Sequence, residues 1–396
     1  MTHGSGSAPI LCVVGARPNF MKIAPVIRAM KGATPPVPIR LVHTGQHYDS
    51  DLNSQFFRAL EIPDPDINLE VGSASHAVQT AEVMRRVEPV IDQERPVAVL
   101  VVGDVNSSLA CALVAVKKGV PVIHVEAGLR SFDRSMPEEI NRVLTDQISE
   151  LLFTTEKSAR ENLLREGVAG SRIHFVGNVM IDTLRHNLER AVPHAETLKR
   201  HAGQARWEQG GFAVLTLHRP SNVDDPHTLR AILGAIREVG GRLPVAFPIH
   251  PRTRARIEQY GLEDLLELPS IFRLPPIGYL EMLGLMRAAR LVLTDSGGIQ
   301  EETTALGIPC VTLRDTTERP ITVEQGTNTL VGGRPDRILA AVEQVLQRGG
   351  KAGRIPELWD GRASERIVAI LRDWLDRGGT SRLPDVGIPQ HLRAEI

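Results

Sequence analysis

The stretch Leu291-Val-Leu-Thr-Asp-Ser-Gly-Gly-Ile-Gln-Glu-Glu-Thr-Thr-Ala-Leu-Gly-Ile-Pro-Cys310, continuing into Val311-Thr-Leu313, reads as strand, tight turn, helix and strand. A short apolar run ends in Thr294-Asp295-Ser296-Gly297-Gly298; a helical pattern then opens, carries Glu301 and Glu302, and stops at Gly307. Pro309 leads into the second apolar run. Glycines at 297 and 298 let the main chain approach a ligand closely, and the first N–H groups of the helix point at any anion bound there. Glu302 falls about one turn into the helix, where a carboxylate reaches a sugar hydroxyl. The pattern fits a nucleotide diphosphate held at a helix N-terminus, with its ribose read by an acid. It also fits an ordinary capped turn in which Ser296 is only the N-cap.

The same rhythm extends in both directions. Towards the N-terminus the apolar runs are Ile10–Val14, Ile39–His43, Ala98–Val102, Pro121–Val125 and Leu151–Thr154. Helical patterns alternate with them over 19–30, 48–60, 76–93, 107–118, 137–149 and 158–166. After a polar segment over 191–211 the rhythm restarts, with strands predicted at 212–216, 244–248 and 271–274 and helices at 226–239, 251–260 and 279–289. Helices over 334–347 and 363–377 follow. Strands that are apolar throughout and alternate with helices predict parallel sheets covered on both faces. The expected fold is α/β: two Rossmann-like, doubly wound domains facing across a cleft, residues 1–190 and 191–362, with a closing segment over 363–396. Ligands of such folds bind at the carboxyl ends of the strands.

Composition narrows the function classes. Lys+Arg number 46 against 47 Asp+Glu, so no charge excess points to nucleic acid or an anionic membrane. Aromatics at 4% are too scarce for a base-stacking platform. No apolar segment has the length of a membrane span, and the start Met1-Thr-His-Gly-Ser-Gly-Ser lacks the regions of a signal peptide. Cys12, Cys111 and Cys310 lie in apolar surroundings and read as buried thiols of a cytoplasmic protein.

Residues just after each strand are the candidates for chemistry. Gly15-Ala-Arg17-Pro-Asn-Phe-Met-Lys22 matches neither a P-loop nor a dinucleotide fingerprint, yet it puts two cations at a helix N-terminus, an anion site without the usual glycines. Asp104 and Glu126 each follow an apolar strand, from neighbouring strands on this reading, which makes them a pair of acids suited to proton transfer. Glu138 and Glu139 open a helix behind Pro137; each alone reads as simple capping, and Asn141 and Arg142 lie one turn further, where they can orient acids. His218 and Arg219 follow a strand of the second domain and suit a diphosphate. His250 reads as a structural histidine, and the loop Arg314-Asp-Thr-Thr-Glu-Arg319-Pro320 faces the cleft. Metal-ligand spacings and a serine-hydrolase elbow are both absent from the sequence.

Taken in order, these segments resemble one family. Gly15-Ala-Arg17-Pro with Lys22, Thr44-Gly-Gln46-His47, Gly103-Asp104, His124-Val-Glu126-Ala-Gly-Leu-Arg130 and Pro137-Glu138-Glu139-Ile-Asn141-Arg142 are followed by Gly177-Asn178, His218-Arg219, His250-Pro251, Asp295-Ser-Gly-Gly-Ile-Gln-Glu-Glu302 and Arg314–Pro320. This is the order of the non-hydrolysing UDP-N-acetylglucosamine 2-epimerases, and the likeness covers residues 10–375. The resemblance implies the glycosyltransferase-B architecture with a C-terminal helix crossing back to the first domain, and a homodimer. It implies interconversion of UDP-N-acetylglucosamine and UDP-N-acetylmannosamine without NAD or metal, and no nucleic-acid or membrane partner. On the same basis Asp104, Glu126 and Glu138 are the acid/base carboxylates, and Arg17 and His218, supported by Lys22, stabilise diphosphate. Ser296, Gly297 and Gly298 cradle phosphate, Glu302 holds the ribose, and Arg142 and Arg319 join the substrate ligands. His218-Arg-Pro-Ser-Asn and Gln46-His-Tyr-Asp-Ser depart from the pattern of many bacterial members, in regions tied to a regulatory substrate site. Thr44-Gly-Gln-His-Tyr48 and Arg130-Ser-Phe-Asp133 also resemble the sister enzymes that epimerise UDP-2,3-diacetamido-glucuronic acid. A glycosyltransferase of the same fold is the further alternative.

Overall fold

The computed structural model describes residues 8–45, 60–202 and 211–379, with Arg17 described in its backbone only. The helix expected over 48–60, the motif residues Gln46 and His47, and the Arg17 side chain therefore lie outside the described residues.

The first sheet contains β1 (Ile10–Val14), β2 (Ile39–His43), β3 (Ile67–Asn68), β4 (Ala98–Val102), β5 (Val122–Ala127), β6 (Leu151–Thr154) and β7 (Ile173–Phe175). Their order is β3-β2-β1-β4-β5-β6-β7, and every pairing is parallel. The second sheet contains β8 (Ala213–Thr216), β9 (Val245–Pro248), β10 (Ile271–Leu274), β11 (Leu291–Thr294), β12 (Cys310–Thr312) and β13 (Asn328–Leu330). It is also parallel throughout, in the order β10-β9-β8-β11-β12-β13. Every residue of β1, β4, β8 and β11 is buried, which is why these segments are near-continuous apolar runs rather than alternating ones. The three cysteines are buried and free.

Strand order reverses between β1 and β4 in one sheet and between β8 and β11 in the other. At such a switch point the connections leave in opposite directions and open a crevice beyond the strand tips. Gly103 and Asp104 follow β4; His218 follows β8 and Asp295 follows β11. The topology thus puts the candidate residues of each domain at its crevice.

The structure departs from expectation in several places. β3, β7 and β13 were not anticipated, because strands of two or three residues carry too little periodicity to read. The polar stretch over 191–211, for which no helix was expected, contains the helix His194–Ala202, which buries Leu198 and contacts Tyr279–Ala288 and β10. The helix Val179–Asn187 touches both Arg17–Gly32 of the first domain and Gly297–Leu306 of the second.

The helix Ala363–Asp376 packs on Arg17–Gly32 and Val179–Asn187. Asp182 receives its first N–H groups, from Ala363 at 3.0 Å and Ser364 at 2.6 Å, a carboxylate where the helix end favours one. Trp374 is buried in the same core, and buried Trp359 donates Nε1–H to the Thr155 carbonyl at 3.1 Å. Removing either indole would cost about 3–5 kcal/mol.

Candidate active site

Glu126 sits where the pairing of β5 with β6 slips by one residue between Val125 and Ala127. Its φ is 72°, the left-handed region, which a side-chain-bearing residue occupies at a cost of roughly 1–3 kcal/mol. Such a bulge re-aims one side chain of a strand. The carboxylate is 3% exposed; Lys22 Nζ contacts Oε2, and Arg319 Nη2 donates to Oε1 at 2.7 Å. Gly103, at φ 64°, lies against this pair: a Cβ there would sit 2.7 Å from Lys22 Nζ and 3.0 Å from Glu126 Oε2.

Asp104 is held by Arg142, whose Nη2 donates to Oδ2 at 2.5 Å. Burial on its own pushes the Asp104 carboxyl upward, but the charges of Arg142, Lys22 and Arg319 outweigh it and hold the group below the usual carboxylate range. Arg142 also contacts Glu139, which accepts the N–H groups of Ser131 at 3.0 Å and Phe132 at 2.9 Å. Asn141 donates to the Asp104 carbonyl at 3.0 Å. Helix Pro137–Ile148 therefore clamps the loop after β5 and orients Asp104 at the same time. Buried His124 links the strand tips, with Nδ1 2.7 Å from Asp146 and Nε2 3.0 Å from the Gly103 carbonyl.

From the second sheet, Asp295 organises His218. Its carboxylate accepts the main-chain N–H of His218 at 2.9 Å and of Arg219 at 2.8 Å, and pairs with His218 Nδ1 at 2.8 Å. Burial raises the Asp295 carboxyl, and the hydrogen bond and charge of His218 bring it below the usual range. With Nδ1 engaged, Nε2 is the nitrogen left for a ligand, and the side chain is 37% exposed. His250 caps its own helix, accepting from Arg252 N–H at 3.2 Å, with its ring 5.7 Å from that of His218.

Ser296 occupies the N-cap position of helix Gly297–Leu306, yet its side chain makes no capping hydrogen bond. Beneath the turn, a Cβ on Gly297 would meet Glu318 Oε1 at 2.9 Å and Arg319 Cζ at 3.4 Å. A Cβ on Gly298 would meet only the Met180 methyl, at 3.4 Å. Glu302 is buried and accepts the Tyr279 hydroxyl at 2.9 Å; burial pushes its carboxyl up to about 7, against the pull of that hydrogen bond.

Arg319 joins the two halves. It pairs with Glu126 of the first domain and with Glu318 at 2.9 Å and Glu301 at 3.0 Å of the second. Glu301 accepts from Asn178 at 2.9 Å, and burial raises it to about 7 although Arg319 opposes the shift. Lys22–Glu126–Arg319 and Asp104–Arg142–Glu139 are thus two ion-paired clusters of one charge network, joined by the pull of Lys22 and Arg319 on Asp104, and Arg319 abuts Gly297. Lys22 and Arg142 were expected at an anion and at the substrate; their partners here are Glu126 for the former and Asp104 and Glu139 for the latter. Glu138 lies apart from that network, half-buried on the wall of a cavity of about 1100 Å³ that Arg219, Asn222, His227 and Arg314 also line. This space exceeds the range usual for small-ligand sites. Asp295, Glu301, Glu318 and Asn178 had no role on the sequence reading. Only the clustering of charge in Arg314–Pro320 pointed towards Glu318.

A family model described as UDP-N-acetylglucosamine 2-epimerase matches residues 30–372. The chain belongs to this family. Among the 2-epimerases, a UDP-N-acetylglucosamine 2-epimerase of Methanocaldococcus jannaschii is 43% identical over 362 residues, 91% of this chain and 97% of the relative. A UDP-2,3-diacetamido-2,3-dideoxy-D-glucuronate 2-epimerase of Pseudomonas aeruginosa is also 43% identical, covering 91% of this chain and 99% of its own length. A crystal structure of the M. jannaschii UDP-GlcNAc 2-epimerase, in complex with UDP-GlcNAc and UDP, superposes with a TM-score of 0.84 at 42% identity, covering 92% of this chain and 99% of that one. The expected architecture, two Rossmann-like domains of the glycosyltransferase-B kind, is the one observed in this epimerase.

Proposed function

We propose that this protein is a nucleotide-sugar isomerase that inverts C2 of UDP-N-acetylglucosamine, giving UDP-N-acetylmannosamine. The C2 hydrogen is not adjacent to a carbonyl, so a carboxylate does not remove it unaided. Expelling UDP solves the problem. The C1–oxygen bond breaks towards UDP, the C2–H electrons become the C1–C2 double bond of a 2-acetamidoglucal, and re-addition of UDP with protonation on the other face completes inversion. Oxidation state is unchanged overall. The scheme needs positioned carboxylates, cations facing the departing diphosphate and a closed cleft that retains both halves.

In this reading Asp104, Glu126 and Glu138 carry the proton transfers, His218 with Arg17 stabilises the diphosphate, and Lys22, paired with Glu126, supports that acid. Ser296, Gly297 and Gly298 cradle the diphosphate, and Glu302 holds the ribose. The observation that carries the reading is Arg319, whose guanidinium is 2.7 Å from Glu126 and underlies the Gly297 turn, so the acid of one domain and the turn of the other converge on one place. We also infer a cytoplasmic homodimer that supplies precursors for polysaccharide. Three buried free cysteines fit a reducing compartment, and Ile140 and Leu144, each 47% exposed and one turn apart, offer an apolar contact strip.

A second reading keeps the reaction and changes the sugar to UDP-2,3-diacetamido-glucuronate, favoured by the equal identity to the Pseudomonas relative. Proton NMR of the purified protein with each sugar nucleotide decides. Anomeric signals of the manno epimer, arising without any acceptor, are expected. UDP release only when an acceptor is added would make the protein a glycosyltransferase instead.

A further inference from the structure

Arg319 is among the most enclosed cations of the site, 5% exposed, and each of its three nitrogens faces a different carboxylate. Nη2 donates to Glu126 at 2.7 Å, Nη1 lies 2.9 Å from Glu318, and Nε lies 3.0 Å from Glu301. Glu301 is itself fixed by Asn178 Nδ2 at 2.9 Å, and Glu318 is paired with Arg314 at 2.9 Å. Only the Nη2 contact is a hydrogen bond; Glu318 and Glu301 act through charge at ion-pair distance, and a guanidinium facing three carboxylates offers a substrate phosphate little net positive charge.

We infer that Arg319 is a positioning residue for Glu126, set by Glu301 and Glu318, and that it is not a substrate ligand. This rests on the 2-epimerase reading given above. The physical reason lies in where the partners come from. Glu126 belongs to β5 and carries a backbone strain of its own, whereas Glu301 and Glu318 belong to the second domain. Only with the two domains together does Arg319 reach Glu126, so the direction of the base is completed by contact between the domains. A lysine in place of Arg319 keeps the charge but concentrates it at one nitrogen, so it cannot face three separated carboxylates as the planar fork does. Above the pH of about 7 at which Glu301 ionises, glutamine at 301 would leave the Nε side of the fork without its counter-ion.

The test compares Glu301→Gln and Arg319→Lys with Arg319→Met in the full-length protein, measuring kcat, KM and the UDP dissociation constant by calorimetry. For Glu301→Gln and Arg319→Lys we expect kcat to fall about tenfold, with KM and UDP affinity within about twofold. For Arg319→Met the fall in kcat is expected to be about a hundredfold, again with UDP affinity kept. Weakening of UDP binding beyond about fivefold in Glu301→Gln or Arg319→Lys would make Arg319 a ligand and overturn the inference, as would kcat at the wild-type level. Should Arg319→Met fail to fold, the two conservative variants decide alone. An inactive wild-type protein would refute the 2-epimerase reading; an active one with unaffected variants refutes only this inference.

Discussion

Glu126 and Glu138 are acids of the same proposed site in opposite surroundings. Glu126 is 3% exposed at a strained bulge, with one oxygen against Lys22 and the other 2.7 Å from Arg319. Glu138 is half-buried at the first turn of helix Pro137–Ile148, on the wall of the large cavity. The first is fixed in direction by the fold; the second is reachable from the cleft. The difference teaches that a proton-transferring carboxylate can also hold a fold together, and mutation separates the two roles. For Glu126→Gln we expect kcat to drop about 10³–10⁴-fold. The same change should also lower stability by about 3–5 kcal/mol, because Lys22 and Arg319 lose a buried counter-charge. For Glu138→Gln the expected loss in kcat is about 10²–10³-fold, while stability stays within about 0.5 kcal/mol. Steady-state kinetics with thermal and urea melts read both quantities. Equal stability losses in the two variants would erase the distinction.

Glu156 sharpens the comparison from another side, being as buried as Glu126 but supported by a hydroxyl, Ser158 Oγ at 2.5 Å, in place of a cation. Burial pushes its carboxyl from 4.5 up to about 7, with the nearby charge of Glu301 adding to the shift. A carboxyl raised in the folded state binds its proton more tightly there than in the unfolded chain. Its contribution is therefore complete below pH 4.5 and is lost as pH rises through about 7. Glutamine stays neutral throughout. Glu156→Gln should stabilise the protein by about 1–3 kcal/mol at pH 8 and by almost nothing near pH 4.5. Melts at the two pH values check this, and a gain that does not depend on pH would contradict it.

Much of the architecture was legible because strands buried in a parallel sheet read as near-continuous apolar runs, and β1 and β4 do throughout, β8 and β11 up to their last residue, a threonine. Asp104, His218 and Asp295, just beyond β4, β8 and β11, and Glu126, near the end of β5, could be located for the same reason. Their partners could not. Glu126 meets Lys22 across 104 positions and Arg319 across 193, and no local pattern encodes such a contact. Lys22 at a helix N-terminus looks like an anion ligand until the fold brings a carboxylate to it. Glu301 stands beside Glu302 in the opening motif, and only tertiary packing shows that it holds Arg319. Short edge strands and the helix His194–Ala202 escaped for want of enough periodicity to read.

The most direct measurement is the fate of the hydrogen at C2. With wild-type protein and UDP-N-acetylglucosamine in D2O, elimination and re-addition predict deuterium at C2 of the manno epimer, seen by NMR as loss of the C2 proton signal. Epimer formed with its C2 proton fully retained would contradict proton removal at that carbon.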